Sequence, residues 1–249
     1  MLTGEQIKFA KSQGFLRDKR SLDKFSARIL TRNGRITATE NKVVSEAAEK
    51  FGDGYVMMTT RLSLEIGGVP FENIEPLQAF LKEHNLKTGG TGAKVRPVVS
   101  CKGTVCPFGL IDTFSLSEKI HNQFFEGMSD IELPHKFKIA VGGCPNNCVK
   151  PNLNDVGIMG QRYENPNYDK DGDNRKYLNG YAIFIGGRWG RSISIGQKLN
   201  KVFTDEASVL ATVEKLILFF KDNGNKRERF SDTIKRLGFE TVEKAVLEA

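Results

Sequence analysis

The sequence predicts an α+β fold in two lobes. Three observations lead there. Stretches with helical periodicity alternate with short runs of β-branched and bulky residues. One glycine-rich segment without periodicity, Lys87 to Ala93, interrupts that alternation. A chain of 249 residues buries roughly 70% of its unfolded surface, enough for one large domain or two moderate ones.

Residues 3–13 carry the first helical pattern, and 38–51 (ATENKVVSEAAEKF) the second, with Thr37 or Thr39 placed to cap it and Gly52, Asp53 and Gly54 to stop it. YVMMTTRLSLEI, Tyr55 to Ile66, reads as one strand or a bent pair. Helical spacing returns over Phe71 to Leu86, and the linker places a lobe boundary near Gly90. Beyond it the pattern predicts strands at Arg96 to Ser100, Lys136 to Val141 and Asp155 to Met159, with a long helix over Pro107 to Phe125. Glu164 to Gly180 is polar and turn-rich, a surface loop or hairpin before YAIFIGG. Its DKDGD run lacks the twelfth-position glutamate of a calcium loop, since that place, counted from Asp169, falls on Gly180. Asp205 to Ala249 reads as helical, with Gly224 and Gly238 as stops.

Charge and hydropathy narrow the classes. No apolar run approaches the ~20 residues a membrane span needs, and the N-terminus has no signal-peptide core, so the expected location is cytoplasmic, without a membrane partner. The net charge of +7 suits a polyanion. Yet the longest basic run is KRER (Lys226 to Arg229), and neither zinc-finger spacing nor an RNA-recognition signature is present. An anionic cofactor or small anionic substrate accounts for the same excess, with no nucleic acid as partner.

The four cysteines fall in two short clusters, Cys101 and Cys106 in SCKGTVCPFG and Cys144 and Cys148 in GGCPNNCVKP. A close pair joined to a distant close pair is how a chain closes a four-thiolate site. In a reducing compartment the four are buried hydrophobes, catalytic thiols or metal ligands rather than disulfides. Zinc also takes four thiolates, but its structural sites favour C-x2-C knuckles, whereas the gaps here are four and three residues. A 4Fe-4S cluster, larger than one ion, tolerates the wider and uneven spacing. Gly142 and Gly143 let backbone approach a bulky inorganic group, and Pro145, Asn146 and Asn147 make a turn whose amides can face sulfur. The same residues also suit a plain strand-to-helix turn.

At these positions the sequence resembles the siroheme-dependent sulfite and nitrite reductase family. The likeness rests on Cys144-Pro-Asn-Asn-Cys148-Val-Lys150-Pro151 followed by Asp155-Val-Gly157, on TTR (Thr59 to Arg61), on LPHKFK (Leu133 to Lys138) and on GGRWGR (Gly186 to Arg191). It covers most of residues 25–195. Three departures stand out: the run Arg28-Ile-Leu-Thr-Arg32-Asn-Gly34, where relatives usually carry an arginine and then a proline before the glycine; Glu65, where relatives often carry glutamine; and four residues between Cys101 and Cys106, where five is common.

The resemblance implies a ferredoxin-like half-domain over residues 1–89 and a mixed α/β domain binding siroheme and a 4Fe-4S cluster over 90–249. Cys101, Cys106, Cys144 and Cys148 would hold the cluster, and Cys148 would share its sulfur with siroheme iron. Thr59, Thr60, Arg61, Asn146, Asn147, Lys150, Arg188 and Arg191 would join Cys148 in binding cofactor. Arg28, Arg61, Arg96, Lys136 and Lys138 would bind sulfite or nitrite and feed protons, with Arg32 the alternative to Arg28. Strand-borne lysines at i and i+2 point the same way, as an oxyanion site requires, and His135 should face the other side. The implied reaction is a six-electron reduction of sulfite to sulfide or nitrite to ammonia. A single unit with no flavin or nicotinamide domain would take electrons from a ferredoxin or another donor protein, and a homodimer could restore the second half found in tandem members. Two rival classes are an electron-transfer or binding protein without turnover and a zinc-stabilised nucleic-acid module.

Overall fold

The computed structural model describes residues 2–172 and 174–248. It forms two compact units, Met1–Gly92 and Ala93–Ala249, each with its own apolar core.

In the first unit, α1 (Gly4–Ser12) starts at Thr3, whose hydroxyl accepts the Gln6 N–H while the Gln6 side chain accepts the Thr3 N–H. Thr37 and Glu40 make the same reciprocal cap for α2 (Ala38–Phe51), so Thr37 rather than Thr39 starts that helix. Four strands, β1 (Phe15–Arg17), β2 (Lys24–Ile29), β3 (Val56–Met58) and β4 (Leu64–Pro70), pair antiparallel in the order β1-β2-β4-β3. The Tyr55 to Ile66 run is therefore a hairpin. Its turn is built on Thr59, whose hydroxyl meets both the Ser63 hydroxyl at 2.8 Å and the Ser63 N–H at 3.2 Å, with Leu62 left-handed at φ 59. The last helix, α3 (Ile74–Glu83), buries Ile74, Leu77 and Leu81. Phe25, Ala27 and Ile29 enter the core from β2, which turns Arg28 to the opposite face.

The second unit is a mixed five-stranded sheet in the order β5-β6-β7-β8-β9. Here β5 (Val99–Ser100), β6 (Ile139–Gly142) and β7 (Val156–Glu164) run parallel, while β8 (Tyr177–Ile185) pairs antiparallel with β7 and β9 (Gln197–Lys198) antiparallel with β8. The polar stretch after Glu164 is the connection of the long β7–β8 hairpin, paired from Val156↔Ile185 to Glu164↔Tyr177. Before it, α4 (Thr113–Ile120) continues into a π-helical turn at His121–Glu126. The helix expected from Pro107 begins only at Thr113. Asp112 caps it by accepting the Phe114 and Ser115 N–H groups, each at 3.0 Å, while Gly109 N–H folds back to the Cys106 carbonyl. The strand expected over Arg96 to Ser100 is reduced to Val99–Ser100 and a bridge from Val95 to Phe137, since Pro97 has no N–H to donate.

Three helices close the chain: α5 (Glu206–Asn223), capped by Asp205 and ended by Gly224, α6 (Phe230–Leu237) and α7 (Phe239–Leu247). Phe220 of α5 and Phe230 of α6 meet Phe137 with ring centroids 5.3–5.7 Å apart, and all three rings are fully buried. Each such ring contributes about 1.5–3 kcal/mol by leaving water, which anchors the Lys136–Lys138 segment from beneath. Among the described residues, no helix is long and apolar enough to cross a membrane.

Candidate functional site

Parallel pairing brings the two cysteine segments to one end of the sheet. Val99 faces Ala140 and Ser100 faces Val141, so β5 and β6 finish side by side. Cys101 follows β5 directly, and Gly143 and Cys144 follow β6. The Cys101 N–H donates to the Val141 carbonyl at 3.1 Å, and the Gly143 N–H donates to Cys101 Sγ at 3.1 Å. Glycine makes this approach sterically possible. A Cβ on Gly143 would stand 2.7 Å from Gly103 Cα, and one on Gly103 would stand 2.8 Å from Gly143 Cα. Thr113 reinforces the first loop, its hydroxyl donating to the Cys101 carbonyl at 2.8 Å.

All four thiols are free; Cys101, Cys106 and Cys144 are half-buried and Cys148 is exposed. Among the described residues, no three His, Cys, Asp or Glu side chains gather around a single-ion position. The donor set fits a 4Fe-4S cluster in its chemistry: four unpaired thiols, a glycine cradle between their loops, and a backbone amide already aimed at sulfur. That amide belongs to Gly143. The Asn147 side chain instead donates to Asn152 Oδ1 at 2.9 Å, and its own buried Oδ1 has no hydrogen-bond partner. Asn147 and Lys150 are both left-handed, at φ 56 and 50, which winds the Cys144–Lys150 loop tightly. Lys150 closes it by donating from Nζ to the Asn147 carbonyl at 3.2 Å, and Asn146 is exposed.

The cations lie along the segment that leads into β6. Phe137 and Ile139 are buried, so Lys136 and Lys138 share the other face, each half-buried. The Arg96 N–H donates to the Phe137 carbonyl at 2.8 Å, placing the Arg96 backbone beside the Lys136–Lys138 segment. Burial first, then repulsion from Arg229 and Arg96, holds the Lys136 ammonium below the ordinary lysine range, with Asp155 opposing the shift. His135 is lowered by burial and by Arg229, Lys136, Arg96 and Arg188. It therefore belongs to the same positive field as Lys136, and its Nδ1 accepts the Lys136 N–H at 2.8 Å. Arg188 donates to Asp232 at 3.0 Å and exchanges backbone bonds with Ser194, while Arg191 is exposed.

In the first unit, Arg28 is held by Glu65. Its Nε and Nη2 donate to Glu65 Oε1 at 3.0 and 2.8 Å, and its Nη1 donates to the Gly90 carbonyl at 3.0 Å. The two residues are directly opposed across β2 and β4. Arg32 is turned to the first turn of α2, where it donates to Glu40 at 2.8 Å. Arg61 and Thr60 sit in the Thr59–Ser63 turn, the Arg61 N–H donating to Thr59 Oγ1.

Sequence reading missed Arg229. It is 5% exposed, and its Nη2 donates to both oxygens of the fully buried Asp155, at 3.0 and 2.9 Å. Read along the chain it is one residue of a basic run, 74 positions from its partner. The one signal beside it is the apolar Phe230 that follows, which is fully buried.

The profile of the nitrite and sulphite reductase 4Fe-4S domain matches residues 91–249, and that of the nitrite/sulfite reductase ferredoxin-like half domain matches residues 17–84. The chain is 29% identical over 244 residues to the coenzyme F420-dependent sulfite reductase of Methanocaldococcus jannaschii, covering 80% of this chain and 38% of that protein. It is 29% identical over 230 residues to the assimilatory-type sulfite reductase of Nitratidesulfovibrio vulgaris, covering 90% of this chain and 94% of that protein. The chain thus spans little more than a third of the first relative and nearly all of the second. The structure of the Mycobacterium tuberculosis NirA protein matches with a TM-score of 0.79 at 18% identity, covering 99% of this chain and 48% of that one, a likeness of fold.

Proposed function

Because the chain belongs to the nitrite and sulphite reductase family, we propose that it catalyses the six-electron reduction of sulfite to sulfide, or of nitrite to ammonia, at a siroheme coupled to a 4Fe-4S cluster through Cys148. One observation carries the reading: a single stretch of chain runs from half-buried Lys136 and Lys138 through β6 into the Cys144 loop, which interlocks with the Cys101 loop at Gly103 and Gly143.

Cys101, Cys106, Cys144 and Cys148 would hold the cluster, with Thr59, Thr60, Arg61, Asn146, Asn147, Lys150, Arg188 and Arg191 assigned to the cofactors. When bound, these groups supply electrons one at a time and an iron position open to the oxyanion. The chain's own part is electrostatic. Lys136, Lys138 and Arg96 offset the charge of a small oxyanion where burial weakens screening by water, and Arg28 and Arg61 are assigned to the same task. Each oxygen lost from the substrate leaves as water and takes two protons with it. An ammonium held below the ordinary lysine range, as at Lys136, gives up its proton more readily than an exposed one. Electrons would come from a ferredoxin or similar acidic donor, which the net charge of +7 suits.

The test is a visible spectrum of anaerobically purified protein with iron and sulfide analysis, followed by sulfite and nitrite consumption driven by reduced viologen dye. A siroheme spectrum, five irons per chain (four from the cluster and one from siroheme) and turnover of either anion are expected. Cys148→Ser should lose the coupled spectrum. A protein holding both cofactors yet inert toward both anions defeats the reading.

A further inference from the structure

The carboxylate of Asp155 sits where several chain segments cross. It is fully buried, and beyond its two bonds from Arg229 its Oδ2 accepts the Lys138 N–H at 2.9 Å. The Lys138 carbonyl accepts the Val156 N–H, and the Asp155 carbonyl accepts the Gly186 N–H, each at 3.0 Å. The carboxylate fastens the entry to β6 to the residue before α6, and backbone bonds around it join the start of β7 and the end of β8.

We infer that Asp155 and Arg229 are a positioning pair for the anion site, fixing the main chain beneath Lys138 and acting with opposite signs on the neighbouring Lys136. The inference rests on the reading of Lys136 as an anion-binding group. A buried ion pair adds little net stability over an apolar pair of equal volume, so stability alone gives it no purpose. What it does is hold two opposed charges, both shielded from water, close enough to act on Lys136. The charged groups acting on Lys136 are Arg229, Arg96 and Arg188, which repel its ammonium, and Asp155, which attracts it. His135 is repelled by the same arginines, Lys138 acts on Asp155, and Asp232 engages Arg188. Asp155 is therefore the attracting charge that opposes the arginines acting on the Lys136 ammonium.

The experiment is competitive acylation of lysines in the holoprotein across a pH series, with Lys136 followed by peptide mass. In the native protein the midpoint for Lys136 should lie below the ordinary lysine range. Asp155→Asn should lower it further, because the attracting charge is gone while the repelling arginines remain. Arg229→Met should raise it, whether or not Asp155 then takes up a proton, since Arg229 acts on Lys136 more strongly than Asp155 does. A purely structural role would lower thermal stability and leave both midpoints where they were, and that result overturns the inference. If neither variant folds, a native midpoint at or above the ordinary range overturns it. This readout needs no turnover, so loss of the reductase reading would show separately as an inert native protein.

Discussion

The Gly143 N–H donates to Cys101 Sγ across 3.1 Å, tying the loop after β6 to the first thiol of the loop after β5. The contact exists because Gly103 and Gly143 pack backbone against backbone.

Gly143→Ala should push those loops apart. Its Cβ would meet Gly103 Cα at 2.7 Å, and backbone cannot swing aside as a flexible side chain can. Overpacking of this kind costs about 1–3 kcal/mol. Iron and sulfide content and the thermal midpoint should fall together; a variant with full iron and native stability would show that the glycine contact is dispensable.

Lys136→Ala and Lys138→Ala should each reduce turnover by about 100- to 1000-fold, the usual loss for one donor to a developing oxyanion. The cofactor spectrum should be unchanged, because neither residue is assigned to a cofactor. Full activity in the double variant would remove the lysines from the site.

Arg28 and Glu65 form a half-buried pair, with side chains 20% and 14% exposed. Glu65→Ala leaves the guanidinium with the Gly90 carbonyl as its remaining bond partner described above, at a cost of about 1–3 kcal/mol in urea unfolding. Glu65→Gln keeps an acceptor and should cost less. Arg28→Ala should raise the sulfite KM, whereas Arg32→Ala, whose side chain is 64% exposed, should not. Equal effects from the two arginine variants would contradict this division.

Glu228 should govern part of the acid stability. Its carboxyl is held down to about 2, first by Arg236 and further by the Asn225 N–H and the Thr233 hydroxyl. A folded pKa below the ordinary 4.5 means its stabilising effect is complete above that value and fades as pH falls toward 2. The stability difference between the native protein and Glu228→Gln should be constant above about pH 5 and shrink below it. A difference independent of pH would show that the Glu228 charge contributes nothing.

Much of this protein was legible in the sequence alone. Periodicity located the helices from Ala38 and Glu206 because one face of each must leave water, and Thr37 or Thr39 offered the acceptor a free helix amide needs; the reciprocal bonds with Glu40 chose Thr37. Spacing gathered the cysteines into two short clusters, and the alternation around Phe137 put Lys136 and Lys138 on one face. These are short-range facts, fixed by neighbours in the chain. Parallel pairing of β5 with β6, the Gly103–Gly143 contact, the Arg28–Glu65 pair and the burial of Arg229 against Asp155 were decided only by the tertiary structure. Each joins residues 37 to 74 positions apart, or strands whose register no local pattern records. Their energy comes from packing and charge burial that exist only once the chain has closed on itself.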